Sequence, residues 1–167
     1  MSPQSVIVPS AVIVPTWISI GLGEIGVRED LRVGQSNLRI QRYHGITGAG
    51  EAPDDVAWCA SFVGWCLEMA GVKSTRNKTA ASYATYGVAS LFRFGCLAFA
   101  DSTDPDAKST GHVGFGLGLS GNTLFLLGGN QQQAKSAWEP EAWQGVSIAM
   151  RDARKFRYRW PAAIPVA

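Results

Sequence analysis

The segment from Asp54 to Gly71 constrains the fold more than any other stretch of the chain. Its apolar residues recur at helical spacing and predict a buried amphipathic helix. Asp54 or Asp55 can accept hydrogen bonds from the first free backbone N–H groups, and Gly71 can adopt the left-handed conformation that ends a helix. The apolar stripe consists of Cys59, Phe62, Val63, Cys66, Leu67 and Ala70.

Two of the three cysteines lie on this helix in different electrostatic surroundings. Cys59 falls in the first turn, where unpaired N–H groups and the positive end of the helix dipole favour a thiolate. Cys66 lies two turns further along and is expected to be an inert core thiol. Free cysteines commonly pack as small hydrophobic residues, so the helix alone leaves Cys59 open to a catalytic or a structural role.

Length, charge and cysteine number limit the function classes. A chain of 167 residues is expected to form a single domain over residues 1–167, with 1–14 as an irregular segment. The net charge of +2 is too small to indicate a nucleic-acid partner and is compatible with a weakly anionic polymer such as a cell wall. An odd number of cysteines argues against a disulfide framework.

Helical patterns precede alternating patterns along the chain. A first helix is predicted with Thr16 as N-cap and with Ile18, Leu22 and Ile25 on one apolar face, and a second is predicted to span residues 36–43. Helices followed by antiparallel strands indicate an α+β domain. Strands are predicted at 96–100, 112–119, 123–127, 146–150 and 156–160, with a hairpin turn at 120–122.

His112 opens the strand with the clearest alternation, and every other residue on its face is glycine. Three glycines on one strand face predict a close approach of a helix or a substrate. If the central helix packs there, the His112 imidazole could take the Cys59 proton and later protonate a leaving amine. Asn130 ends the returning strand, and its amide could fix the imidazole tautomer. A surface histidine and an ordinary Gly-Gly-Asn turn are the structural alternatives.

Three short motifs occur in the order Trp-Cys-Ala-Ser-Phe-Val at 58–63, Gly-His-Val-Gly-Phe at 111–115 and Gly-Gly-Asn-Gln at 128–131. Together they resemble the papain-like cell-wall cysteine peptidases of the NlpC-type and CHAP group, particularly its single-domain phage endolysin-like branch. The resemblance covers nearly the whole chain. It implies a central helix on an antiparallel sheet, with Cys59 as nucleophile, His112 as general base and Asn130 as orienting residue. The implied reaction needs no cofactor and cleaves an amide bond of peptidoglycan, within the stem peptide or between peptide and sugar.

The resemblance also implies an oxyanion hole and substrate contacts. The backbone N–H of Cys59 is the natural first donor, and Tyr43 or Gln41 are the candidate side chains. Further candidates for substrate contact are Trp58, Gln131, Trp138 and Trp143. The sequence departs from the family pattern at Gly95-Cys96 and at 132–144, which is expected to be an inserted loop. Trp138 and Trp143 in that loop could stack on substrate or hold the loop to the sheet.

The expected partner is bacterial peptidoglycan, bound by a monomer with no nucleic acid and no membrane insertion. The N-terminal stretch has no cationic segment and contains Pro3 and Pro9, which is not typical of a signal peptide. The protein is therefore expected to be made in the host cytoplasm and to act on the wall after release, in the periplasm or outside the cell.

The sequence also leaves other function classes open. A zinc amidase using His44 and His112 would need a third ligand, and the usual zinc spacings are absent from the sequence. A calcium loop formed by Asp101, Asp104 and Asp106 would lack the usual glycine and terminal glutamate, which favours a solvated turn. A non-catalytic wall-binding module and a related-fold cysteine acyltransferase remain alternatives from other function classes.

Overall fold

Three helices and six strands make up the computed structural model, which describes residues 13–48, 50, 52–102, 111–133 and 142–162. Every strand pairing is antiparallel, and the sheet order is β1-β6-β2-β3-β4-β5. The predicted α+β class is confirmed. The helices are α1 Thr16–Gly23, α2 Leu38–Gly45 and α3 Cys59–Met69. The strands are β1 Val88–Ala89, β2 Leu97–Ala100, β3 His112–Ser120, β4 Thr123–Gln133, β5 Trp143–Asp152 and β6 Arg157–Trp160.

The central helix α3 starts at Cys59, several residues later than the acidic caps would place it. Asp54 does not cap this helix, because its Oδ2 accepts the backbone N–H groups of Asp30 and Asn37, each at 2.7 Å. Gly71 has φ +74°, which confirms the left-handed stop. Because the helix begins at Cys59, the thiol occupies its first helical position.

The buried stripe of α3 packs on one face of the sheet. Phe62, Val63, Cys66 and Leu67 are completely buried, as the helical spacing predicts, and Ala70 at the end of the stripe is half-buried. Burying a large aliphatic or aromatic side chain stabilises a fold by about 1.5–3 kcal/mol, so this contact anchors the helix. The strand residues in the same cluster are Leu97, Phe99, Val113, Phe115, Leu127 and Val146.

The expectation that the glycine face of β3 meets the central helix is wrong. Val113 and Phe115 face α3, so His112 and the glycines face the other way. A Cβ on Gly114 would lie 2.9 Å from Cγ of Leu126, and one on Gly116 would lie 2.8 Å from the Phe92 ring. Because these glycines have no side chain, they leave room for the side chains of a second, smaller core. This core lies on the far face of the sheet, the face turned away from α3.

Several element bounds differ from the sequence-based prediction. Pro15, and not Thr16, is the N-cap residue of α1. Of the predicted apolar face, Ile18 is completely buried, whereas Leu22 and Ile25 are 40% and 48% exposed. Asn37 caps α2 by accepting the Arg39 N–H at 2.8 Å. Both β4 and β5 are longer than predicted, and Gln133 pairs with Trp143, so the ends of the expected 132–144 loop are strand.

Within the residues that the structure describes, no helix is both long enough and apolar enough to cross a bilayer.

Candidate active site

Cys59 lies where the N-terminus of α3 meets the sheet. Its side chain is 5% exposed, and the backbone N–H groups of Val113 and Ala60 point at its sulfur. Burial raises the pKa of the Cys59 thiol, and these N–H groups offset that effect only in part. In this conformation the residue is accordingly a protonated thiol at neutral pH, contrary to the thiolate that its helix position alone predicts.

The first residues of β3 have no pairing partner in β4. The pairing of these strands ends at Phe115 opposite Leu127, and β4 shifts its register against β5 between Gly128 and Gln131. Val113 therefore has no partner in β4, and its N–H is available to the Cys59 sulfur. Bulges commonly occur beside functional sites because they redirect side chains.

His112 lies on the opposite side of β3 from α3. Its Nε2 is buried and has no hydrogen-bond partner among the described residues, so it makes no bond to the Cys59 sulfur. An added Cβ on Gly128 would be 3.4 Å from this nitrogen, which places the ring against β4. Burial, together with the nearby charge of Arg151, lowers the pKa of His112 to about 4. The imidazole is thus neutral at pH 7 and can act as a proton acceptor.

Asn130 is held away from His112. It has φ +54° in the bulge of β4, and this conformation directs its side chain toward α3. Its Oδ1 accepts the backbone N–H of Trp58 at 3.2 Å, and its Nδ2 donates to Glu29 at 3.2 Å and to Gln144 at 2.6 Å. The proposed role in orienting the imidazole is therefore not supported, and Asn130 instead fixes the residue that precedes Cys59.

Glu29 completes this support of the α3 N-terminus. Its Oε1 accepts the Trp58 indole Nε1–H at 3.0 Å as well as the Asn130 amide. Burial raises the pKa of Glu29, and the charges of Asp54 and Asp55 raise it further. The indole of Trp58 is completely buried, so Trp58 is a core residue and does not offer its ring to a substrate.

The two candidates for an oxyanion side chain have different outcomes. Tyr43 is completely buried, and its hydroxyl donates to Glu24 at 2.6 Å. Its ring packs against Trp58 and Phe62, so Tyr43 is a core aromatic residue of α2 and the expectation of an oxyanion donor is wrong. Gln41 is half-buried in α2, and no side-chain hydrogen bond ties it to the described part of the site.

Gln131 is the side-chain amide that lies on the His112 side of the sheet. An added Cβ on Gly128 would be 3.3 Å from its carboxamide and 3.4 Å from Nε2 of His112. Gln131 is almost completely buried. Its Nε2 donates to the Ser147 carbonyl at 2.7 Å, and its Oε1 accepts from Arg151 at 3.3 Å. Because its amide is bonded within the protein, Gln131 is a supporting residue and not a direct substrate contact.

Trp143 is half-buried at the start of β5. Its ring covers Gly145, where an added Cβ would approach it to 2.1 Å, and the Arg28 guanidinium lies 5.6 Å from the ring centre. With Glu29 and Gln144 it lines a cavity of about 200 Å³. Trp138 lies outside the described residues.

The metal alternatives find no support in the described part of the chain. No three histidine, cysteine or acidic side chains there are grouped closely enough to hold a metal ion. His44 is completely buried, with Nδ1 at 2.9 Å from Ser61 Oγ, and burial lowers its pKa. Asp101 pairs with Arg157 at 2.7 Å, whereas Asp104 and Asp106 lie outside the described residues.

Sequence reasoning overlooked Glu29 and Arg151. Neither belongs to a recognisable motif, because each acts through residues distant in sequence: Glu29 contacts Trp58 and Asn130, and Arg151 contacts Gln131. Only the position of Arg151 near the end of a predicted strand could have drawn attention to it.

In comparisons with known proteins, no family model matches the chain, and no curated protein matches it significantly.

Proposed function

We propose that the chain is a papain-like cysteine hydrolase that cleaves an amide bond of peptidoglycan, of the kind found in phage or prophage lysins. The observation that carries the proposal is the position of Cys59 as the first residue of α3. The backbone N–H of Val113 lies at its sulfur, and His112 directly precedes Val113 in the chain. The motif resemblance supplies the substrate class.

The reaction begins with transfer of the thiol proton to the neutral His112 imidazole. The thiolate then attacks the amide carbonyl carbon, and His112 returns the proton to the departing amine. Water hydrolyses the resulting thioester and regenerates the thiol. Backbone N–H groups at the start of α3 stabilise the negative oxygen of the tetrahedral intermediate.

Proton transfer requires the imidazole to come within about 3 Å of the sulfur. Because His112 and Cys59 lie on different sides of the start of β3, we infer that the His112 side chain changes rotamer when substrate binds. Catalytic hydrogen bonds commonly tighten only in the substrate complex.

Cys59→Ala tests the proposal against Cys66→Ala, a matched control on the same helix. Purified cell walls are incubated with each variant, and released amino groups, released sugars and fragment masses are measured. Cys59→Ala and His112→Ala should both abolish release, whereas Cys66→Ala should retain it at a cost of about 1 kcal/mol in stability. Lysis by Cys59→Ala at the normal rate would refute the mechanism.

A non-catalytic wall-binding module is the second candidate, favoured by the buried thiol and the missing Cys59–His112 bond. It predicts sedimentation of the protein with purified walls and no released fragments. Under this alternative, Cys59→Ala would bind walls as tightly as the unmodified chain.

A further inference from the structure

The far face of the sheet carries a cavity of about 670 Å³ with His112 in its wall. Its volume falls within the range of about 300–1,000 Å³ that is typical of small-molecule sites. Ala100 and Phe156 provide apolar lining, and Arg151 and Lys155 provide positive charge. His112, the histidine of the proposed site, therefore lines a space large enough for part of a peptide.

The charged groups around this cavity are unequally satisfied. Asp101 pairs with Arg157 at 2.7 Å, and Asp152 pairs with Arg154 at 2.8 Å. Arg151 has only neutral partners in the described part of the chain, namely the Gln131 Oε1 at 3.3 Å and the Met150 carbonyl at 3.4 Å. The two carboxylates are thus paired, and among the described residues no carboxylate pairs with the Arg151 guanidinium.

Arg151 is also held in place. Gln131 accepts its Nη2–H, and Gln131 itself is fixed by the Ser147 carbonyl at 2.7 Å. A guanidinium with a fixed direction can bind a carboxylate through two parallel hydrogen bonds, at a smaller entropy cost than a flexible lysine.

We propose that this cavity binds a carboxylate of the peptide substrate through Arg151. The proposal rests on the proposed function, because it assigns a carboxylate-bearing acyl segment to the site that contains His112. A substrate bound there would place its carboxylate on Arg151 and its chain beside His112, since both residues line the cavity.

A binding experiment that needs no turnover tests the assignment. N-acetyl-L-alanyl-D-glutamate is titrated into the full chain carrying Cys59→Ala, and the His112 ring signals are followed by NMR. The chain has two histidines, and His44 is buried against Ser61, so only His112 should respond. The dipeptide with both carboxyl groups amidated and inorganic phosphate serve as comparison ligands.

Arg151→Met should weaken dipeptide binding by roughly tenfold or more, the expected loss for a charge-assisted pair. Arg154→Met is the matched control, because Arg154 is paired with Asp152, and its affinity should stay within about twofold of the parent. The diamide should bind the parent as weakly as the dipeptide binds Arg151→Met. Arg151→Lys keeps the charge and controls for folding, and its affinity should be intermediate.

Equal affinity of the parent and Arg151→Met, stronger binding of phosphate than of the dipeptide, or a response of His44 without His112 would each overturn the assignment. If only the hydrolase proposal is wrong, the result is different: the chain releases nothing from walls, but carboxylate binding at Arg151 persists.

Discussion

Gly129→Ala tests the contact between β4 and the N-terminus of α3. A Cβ at this position would lie 2.5 Å from Cζ3 of Trp58 and 2.7 Å from Cβ of Phe62. Both neighbours are completely buried, and the Cβ of Phe62 moves only with the α3 backbone. Real Cβ atoms do not approach heavy atoms so closely, so the helix or the strand must shift.

The cost can be estimated from opposing effects. Overpacking a core typically costs about 1–3 kcal/mol, and two contacts of this kind place Gly129→Ala near the upper end. Replacing glycine by alanine restricts the unfolded chain and returns about 0.4–1 kcal/mol. The net loss of unfolding free energy is then about 2 kcal/mol, which corresponds to a Tm decrease of about 4–8 °C for a chain of this size.

Gly118→Ala is the matched control. Gly118 is also a strand glycine, but an added Cβ would have only Phe125 Cδ2 as a neighbour, at 3.7 Å. Its Tm should equal that of the parent or exceed it by up to about 4 °C, because an ordinary contact adds no strain and alanine restricts the unfolded chain. Thermal unfolding followed by circular dichroism measures both variants. Equal Tm values for the two would refute the inferred packing of β4 on Trp58 and Phe62.

Three further predictions concern the same region. Lowering the pH from 6.5 to 4 should reduce the unfolding free energy, because the unfolded His112 binds a proton near 6.5 and the folded residue only near 4. The loss of unfolding free energy attributable to His112 is at most about 3 kcal/mol. The unfolding free energy of His112→Gln, measured by chemical unfolding, should therefore depend less on pH across this window than that of the parent. Equal pH slopes for the two proteins would contradict the assigned burial of His112. Asn130→Ala should destabilise the protein more than Asn130→Gly. Both variants lose the hydrogen bonds to Trp58 and Glu29, but only alanine is strained at φ +54°. The reverse order of Tm values would exclude the left-handed conformation of residue 130. Trp143→Ala should lower the Tm if the ring mainly packs on Gly145, and should instead weaken wall sedimentation at unchanged Tm if it contacts substrate.

The sequence determined the central helix and the face that it buries. The spacing of Phe62, Val63, Cys66 and Leu67 matches the helical period, and burial of that stripe is the largest local gain available to this segment. The hairpin at 120–122 and the order of helices before strands were equally local, because turn chemistry and periodicity depend on neighbouring residues.

The tertiary structure decided which face of β3 meets the helix. Alternation separates His112 and its glycines from Val113 and Phe115 but does not say which set is covered by α3. Packing resolves this in favour of Val113 and Phe115, since their side chains fill the space against Phe62. His112 is consequently placed on the other side of the strand from Cys59.

Partners far apart in the chain also follow only from the folded arrangement. Asn130 and Gln131 are adjacent in sequence, yet the bulge of β4 sends Asn130 to Trp58 and Glu29 and leaves Gln131 on the His112 side. In a regular strand Asn130 would share the face of Gly128 and His112. Its left-handed conformation in the bulge turns it instead to the α3 side, and Gln131 then returns to the His112 side. The sequence indicates the candidate site residues, whereas the register of β4 decides which of them meet.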